Sequence, residues 1–193
     1  YMNAIEFIDE NIGFATAPHI ILKSDDGGES WTPVYESNIE YKDLSIASSN
    51  SIWVAGRQWG GENAAIIEAT SDGGENWQNQ ETGITGSSMI SVSFGSETKG
   101  VGVGNKGKII ATKDGGNNWD IQPADSNDFY LDVQLLSSGT GYICGMNGMI
   151  KKKSVRKYLA FTAPEKDVQK LFYPGDEVEL AWTSEGIENV KLE

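Results

Sequence analysis

Apolar residues in this chain recur in short alternating runs. Ile5 and Phe7, Leu44 and Ile46, Val92 and Phe94, and Val133 and Leu135 are each separated by one residue, the period of a strand with one buried face. Each pair is followed by a second run of small residues: Gly13-Phe14-Ala15-Thr16-Ala17, Ile52-Trp53-Val54-Ala55-Gly56, Gly100-Val101-Gly102-Val103-Gly104 and Gly141-Tyr142-Ile143-Cys144-Gly145. A third apolar run then appears at Ile20-Ile21-Leu22, Ala65-Ile66-Ile67, Lys108-Ile109-Ile110 and Met149-Ile150. The same succession met four times predicts an internally repeated all-β protein. Small residues in the second strands suit sheets that pack face to face and leave room for bulky neighbours.

A fourth strand in each of the first three units is announced by one motif. It reads Ser24-Asp25-Asp26-Gly27-Gly28-Glu29-Ser30-Trp31, then Thr70-Ser71-Asp72-Gly73-Gly74-Glu75-Asn76-Trp77, then Thr112-Lys113-Asp114-Gly115-Gly116-Asn117-Asn118-Trp119. An Asp before two glycines is strong turn chemistry: its carboxylate can accept nearby main-chain N–H groups, and glycine tolerates positive φ. Each copy is therefore a hairpin corner, with the Trp opening the next strand as an aromatic anchor. The tryptophans are 46 residues apart from 31 to 77, and 42 apart from 77 to 119. Four strands in about 40–45 residues is the period of a propeller blade. The fourth unit departs from it, giving Lys151-Lys152-Lys153-Ser154-Val155 where the motif is due, as terminal repeats often do.

The three segments resemble the Asp-box, also called the bacterial neuraminidase repeat, of β-propellers. The Asp-Gly-Gly…Trp form is most similar to the propeller repeats of photosystem II assembly factors and their bacterial relatives. That resemblance covers roughly residues 1–155 and implies a peripheral fold element with no catalytic part. Ser24, Asp26, Gly28 and Trp31, with Thr70, Asp72, Gly74 and Trp77 and with Thr112, Asp114, Gly116 and Trp119, are then structural. Beyond about Tyr158 the character changes. Tyr173-Pro174-Gly175-Asp176 marks a turn, followed by alternating Val178, Leu180 and Trp182. This stretch resembles the opening of an immunoglobulin-like sandwich, a fold of about 100 residues. The chain is accordingly divided into propeller blades over 1–157 and a linker with opening sandwich strands over 158–193. The two resemblances together imply a bacterial protein that is secreted, periplasmic or on the cell surface.

Composition narrows the function. The net charge of −13 argues against nucleic acid, since phosphate contacts need clustered Lys and Arg. The run Lys151-Lys152-Lys153 reads as a solvated strand edge. Cys144 is the single cysteine, so no internal disulfide can form, and its apolar surroundings predict a small buried hydrophobe. His19 is the single histidine, so neither a zinc site nor a Cys/His pair is expected, and no cofactor is implied. No segment approaches the length of a membrane-spanning helix.

Two enzyme classes can be weighed directly. Sialidases resembling this fold grip a carboxylate with three arginines, whose planar forks suit it. Arg57 and Arg156 are the only two here, so these residues cannot form that triad. Glucanases resembling it use paired carboxylates. Asp43 and Asp132 stand near the starts of first strands, where a propeller active site could lie, although solvated carboxylates are the simpler reading. The preferred function is a non-catalytic scaffold that binds a protein or a carbohydrate, with a fragment of a glucanase-like hydrolase as the alternative.

Strand alternation says where such a partner would sit. With strands a to d running outward from the axis, a–b and c–d turns share one face; b–c turns and d–a connections share the other. The motif occupies the c–d turn; related propellers bind ligands on the opposite face, so the resemblance implies that a ligand here sits on that face. Its b–c turns supply His19, Arg57, Trp59, Asn105, Lys106 and Asn147, and its d–a connections are Tyr35 to Tyr41 and Ala124 to Phe129. The second unit is lengthened in this region by Arg57-Gln58-Trp59-Gly60-Gly61-Glu62-Asn63. An Arg and a Trp on a glycine-flanked loop suit recognition of a peptide or a sugar, which makes Trp59 the expected anchor.

Overall fold

The computed structural model describes residues 1–58 and 64–153. The expected anchor Trp59, the glycines beside it, Arg156 and the whole of the second predicted region, 158–193, lie outside the described residues. Unit one comprises β1 (Ala4–Phe7), β2 (Gly13–Ser24) and the start of β3 (Thr32–Ile46). Unit two takes the rest of β3, then β4 (Ile52–Gln58), β5 (Ala65–Thr70) and β6 (Gln78–Gln80). Unit three holds β7 (Met89–Phe94), β8 (Gly100–Gly104), β9 (Ile109–Thr112) and β10 (Asp120–Ile121). Unit four has β11 (Tyr130–Leu135), β12 (Gly141–Gly145) and β13 (Ile150–Lys153), the last formed by the lysine run. All pairings between these strands are antiparallel.

Two long strands each do the work of two. Fully extended, the twelve residues of β2 would span about 40 Å. Yet Gly27 N–H, just past its end, donates to Asn11 O, just before its start, at 2.8 Å. Lys23 Nζ also lies 5.9 Å from the centre of the Phe14 ring. The strand therefore folds back on itself at Pro18-His19, where His19 takes φ 72°, giving the b and c strands of unit one. In β3, residues from Thr32 to Glu36 pair with β2, while Ile39 to Ile46 pair with β4. The expected loop from Tyr35 to Tyr41 is therefore extended backbone within a strand. The cause is pairing on both sides, with Pro18 opposite Glu40 and Ile39 opposite Gln58. Sharing β3 joins units one and two into one six-stranded sheet.

Gly102 of the b strand in unit three leaves room for Ile67 of the neighbouring unit, as expected, but three other b-strand glycines answer to a different constraint. Each inner strand of units two to four carries a bulge, between Tyr41 and Asp43, Met89 and Ser91, and Tyr130 and Asp132. Opposite each bulge stands Gly56, Gly104 or Gly145, where a Cβ would collide with the carbonyl of Glu40, Ser88 or Phe129. The crowding is with the inner strand of the same sheet. The bulge re-aims the inner strand toward the next unit.

The cores lie between units. Phe14 and Ile21 of unit one pack with Leu44, Ile52, Val54 and Trp77 of unit two. Trp53, Ala55 and Ile67 of unit two pack with Met89, Val92, Phe94 and Ile110 of unit three; Trp53 and Phe94 stack with ring centres 3.6 Å apart. A smaller cluster joins Val103 to Tyr130 and Val133. Unit four buries one face in this way and exposes the other, which carries Tyr142, Met146 and Ile150. Cys144 lies on that exposed side, against the expectation that it is buried: it alternates with Ile143 along β12, and only the Ile143 face meets unit three.

Where inner strands meet, side-chain oxygens of one unit accept main-chain N–H groups of the next. Glu6 accepts from Ile46 at 3.1 Å. Asp43 accepts from Val92 at 3.0 Å and Ser45 from Phe94 at 2.9 Å. Ser91 accepts from Val133 at 3.2 Å and Ser93 from Leu135 at 2.9 Å. Each donor is one of the alternating apolar residues, and each acceptor stands at the polar position between or before them. The Ser45–Phe94 bond is buried. Ser45→Ala is expected to leave that N–H unsatisfied and to cost about 1–3 kcal/mol, measured by urea denaturation with an unchanged m-value.

Candidate functional site

Three surfaces can be separated by what their polar groups already do. The first is the c–d face. Asp26 Oδ1 accepts from Ser30 N at 2.9 Å and from Ser24 Oγ at 2.8 Å, while Gly28 N donates to the same hydroxyl at 2.8 Å. Asp72 repeats this with Asn76 and Thr70, and Asp114 with Asn118 and Thr112. Both glycines of every corner have positive φ, such as 73° and 93° at Gly73 and Gly74, so any side chain there would be strained. Gly27, Gly73 and Gly115 donate N–H to Asn11, Asn50 and Thr98, in the a–b turns. The two kinds of turn therefore do share a face. Trp31 and Trp77 return their indole N–H to Gly28 and Gly74. In unit three the corresponding carbonyl region is used by Trp53, which donates to Gly115 O at 3.0 Å. In each corner the Asp carboxylate is thus hydrogen-bonded within its own turn, while the buried Trp119 indole N–H has no partner among the described residues.

The second surface is the b–c face. Here Gly107 of a b–c turn donates to Asp128 O in the d–a connection at 2.7 Å, so these segments also share a face. Among the described residues, the non-glycine positions with positive φ are His19, Lys106 and Asn147, at 72°, 53° and 60°. All three sit in b–c turns, one each in units one, three and four. Asn147 is exposed at a single 3₁₀ turn, Met146–Gly148, and Lys106 is exposed with its ammonium on Gly86 O at 2.7 Å. Asn105 braces the turn from within, its Oδ1 accepting from Ser87 Oγ at 2.5 Å and Ser88 N at 2.9 Å. Arg57 Nε donates to Glu40 Oε2 at 2.6 Å, and Lys42 reaches the other oxygen. Glu40 is buried; the Lys42 bond first, with Arg57 after it, holds its carboxyl below the ordinary range. Part of the Arg57 charge is thus committed within the protein. Glu40 had no signal in the sequence beyond its being a charge in an apolar strand.

The third surface is a groove of about 470 Å³ along the inner strands, lined among others by Glu6, Asp43, Ser45, Ser93, Asp132 and Gln134. Asp43 and Asp132 both line this groove, on strands: Asp43 is half-buried, while Asp132 is exposed, the solvated setting expected. Ser91 Oγ donates to Asp132 at 2.9 Å. Burial raises the Asp43 carboxyl above its usual range; hydrogen bonds from Ser91 and from the Val92 and Leu44 N–H groups oppose this, and the Asp132 charge adds to it. Burial likewise raises Glu6, with Asp43 a smaller contributor.

Comparison with solved structures identifies the fold. The protein is a β-propeller. It is similar to "YCF48 bound to D1 peptide", at 20% identity and TM-score 0.62, over 81% of this chain and 50% of that one. It is similar to YCF48 from Cyanidioschyzon merolae, at 19% identity and TM-score 0.60, over 80% and 53%. It is also similar to the GH74 xyloglucanase from Xanthomonas campestris, at 13% identity and TM-score 0.61, over 78% and 27%. The chain thus spans about half the length of the YCF48 structures it matches. No protein-family model matches the sequence, and no curated protein matches it significantly. Among the described residues no helix is long and apolar enough to cross a membrane.

The carboxyl groups predict a two-sided pH dependence. Asp26 and Asp72 are lowered to about 2, chiefly by the Ser30 hydroxyl for the first and the Thr70 hydroxyl for the second. Their contribution is complete above the unfolded value near 4 and is lost as pH falls through about 2. Asp43, Glu6 and Glu68 are raised, first by burial. Their protonated forms favour the fold at low pH, a contribution lost as pH rises through the raised values. Asp72→Asn is therefore expected to shrink the fall in melting temperature from about pH 4 to 2, and Asp43→Asn to shrink the fall on the way from about pH 4 to 7. Differential scanning calorimetry across that range checks both signs.

Proposed function

We propose that this chain is part of a non-catalytic propeller scaffold that binds a protein or glycan partner on its b–c face. The observation that carries the reading is the left-handed backbone of His19, Lys106 and Asn147. Glycine is the cheap residue at such positions, and side chains retained there at a cost of about 1–2 kcal/mol cluster at functional sites. Opposite them, the Asp carboxylates of the Asp-Gly-Gly corners are hydrogen-bonded within their own turns, which suits the Asp-box role suggested by the sequence. A peptide is one apt partner, since a YCF48 structure of this fold is described as bound to a D1 peptide. Secretion or surface display in a bacterium and the immunoglobulin-like continuation belong to the same proposal, and rest on the sequence resemblances.

A second reading is favoured by one observation, that Asp43 and Asp132 line the same groove. Glycosidases work with paired carboxyl groups, and a GH74 xyloglucanase shares the fold. Against it, Asp43 also holds Val92 N–H at 3.0 Å, so it serves the junction between units.

The test is a screen of the immobilised chain against peptide and glycan arrays that include xyloglucan, β-glucans and sialosides. For any ligand found, His19→Gly and Lys106→Gly are expected to lower affinity about tenfold while the melting temperature stays level or rises. A ligand whose binding ignores both variants but is lost in Asp72→Ala would sink the reading. Release of reducing sugar from xyloglucan that disappears in Asp132→Asn would favour the hydrolase.

A further inference from the structure

At an Asp-Gly or Asn-Gly step a side-chain carbonyl carbon stands beside an unhindered main-chain nitrogen, the arrangement that lets a chain attack its own side chain. Three such steps are the corner pairs Asp26-Gly27, Asp72-Gly73 and Asp114-Gly115; the fourth is Asn147-Gly148.

The corners hold the reacting groups apart. The glycine N–H that would attack is tied to the opposite turn: Gly27 donates to Asn11 O at 2.8 Å, Gly73 to Asn50 O at 3.1 Å and Gly115 to Thr98 O at 3.0 Å. The three carboxylates accept the N–H groups of Ser30, Asn76 and Asn118. Side-chain hydrogen bonds, first among the causes, lower all three below the ordinary range, so at neutral pH they are ionised and poor targets for a nucleophile. A Cβ built at these glycines would stand 2.9, 3.0 and 2.9 Å from a carbonyl oxygen of the a–b turn, so the backbone there has little room to rotate.

Asn147-Gly148 is held differently. It carries a neutral amide, with ammonia as its leaving group. Its turn is tied to a distant segment at Met146, whose N–H donates to Phe129 O at 2.9 Å, while the bond that closes it runs from Met149 N–H to Met146 O at 3.3 Å. A bond so local opens without disturbing the sheets. Asn147 sits at φ 60° and ψ 27°, a left-handed backbone whose strain is relieved when it rotates. A Cβ at Gly148 would meet nothing within 4 Å, which leaves that rotation unobstructed.

We propose that Asn147 is a site of self-modification, converted to aspartate and isoaspartate through a cyclic imide. Gly148 N bonds to Asn147 Cγ, the Cγ–Nδ2 bond breaks, and ammonia leaves with the Gly148 amide proton. Water then opens the ring. Cleavage between Gly148 N and Cγ gives aspartate; cleavage between Gly148 N and the Asn147 main-chain carbonyl gives isoaspartate, with the main chain lengthened by a methylene group. Either product puts a new negative charge on the b–c face. The reaction needs only water, and it does not rest on reading that face as a binding surface.

Ageing the folded 193-residue chain at neutral pH tests it, with peptide mass spectrometry to locate conversion and an isoaspartyl methyltransferase to mark isoaspartate. Asn147 is expected to convert first among the asparagines, and the corner aspartates to isomerise about tenfold or more slowly. Asp72→Asn makes the comparison strict, because positions 72 and 147 then carry the same dipeptide. In that variant, its fold checked by circular dichroism, position 72 lags Asn147 by about tenfold or more, and in urea the two convert at similar rates. Should the variant not fold, the wild-type chain supplies the same contrast: isoaspartate at Asp72 rises on transfer to urea. A folded chain in which position 72 converts as fast as Asn147, or in which Asn147 survives while other asparagines convert, overturns the proposal.

Discussion

The inner edge of every unit presents a row of main-chain N–H groups that must be satisfied, because an unpaired sheet edge is costly when covered and adhesive when bare. Here the covering is done by side chains of the preceding unit. Glu6, Asp43, Ser45, Ser91 and Ser93 each accept one such N–H. This fixes the stagger between neighbouring sheets in steps of two residues. It also brings the apolar faces into register, so that Trp53 can lie flat on Phe94. The bulges and the facing glycines follow from the same need, since the inner strand must turn toward its neighbour while still pairing with its own sheet.

The arrangement determines what the groove can offer. Its oxygens are mostly occupied in holding units together, and its carboxyl groups crowd one another, with Asp43 and Glu6 raised by burial. A wall of this kind makes a poor general-purpose binding site. It leaves Asp132 and Gln134, at the end of the series, as acceptors on exposed residues. The two outward faces divide the remaining work. The corners on the c–d face are locked by their own Asp, hydroxyl and glycine groups. The b–c turns present side chains on left-handed backbone at His19, Lys106 and Asn147.

Local chemistry made much of this legible in advance. The alternation at Ile5/Phe7, Leu44/Ile46, Val92/Phe94 and Val133/Leu135 located the inner strands, because a two-residue period depends only on which side faces the core. The turns at Asp26, Asp72 and Asp114 were legible because the carboxylate, the hydroxyl two residues before it and the two glycines all lie within one short segment. The assignment of turns to faces followed from antiparallel alternation alone. What the tertiary structure decided involves partners distant in sequence. Asp43 reads as a solvated carboxylate until Val92, 49 residues later, supplies an N–H. Cys144 reads as buried until it is known which face of β12 has a neighbour. The run from Tyr35 to Tyr41 reads as a loop until β2 and β4 are found on either side. In each case the residue's own segment is silent, because its environment is set by the main chain of another unit, and main-chain groups leave no mark in a sequence.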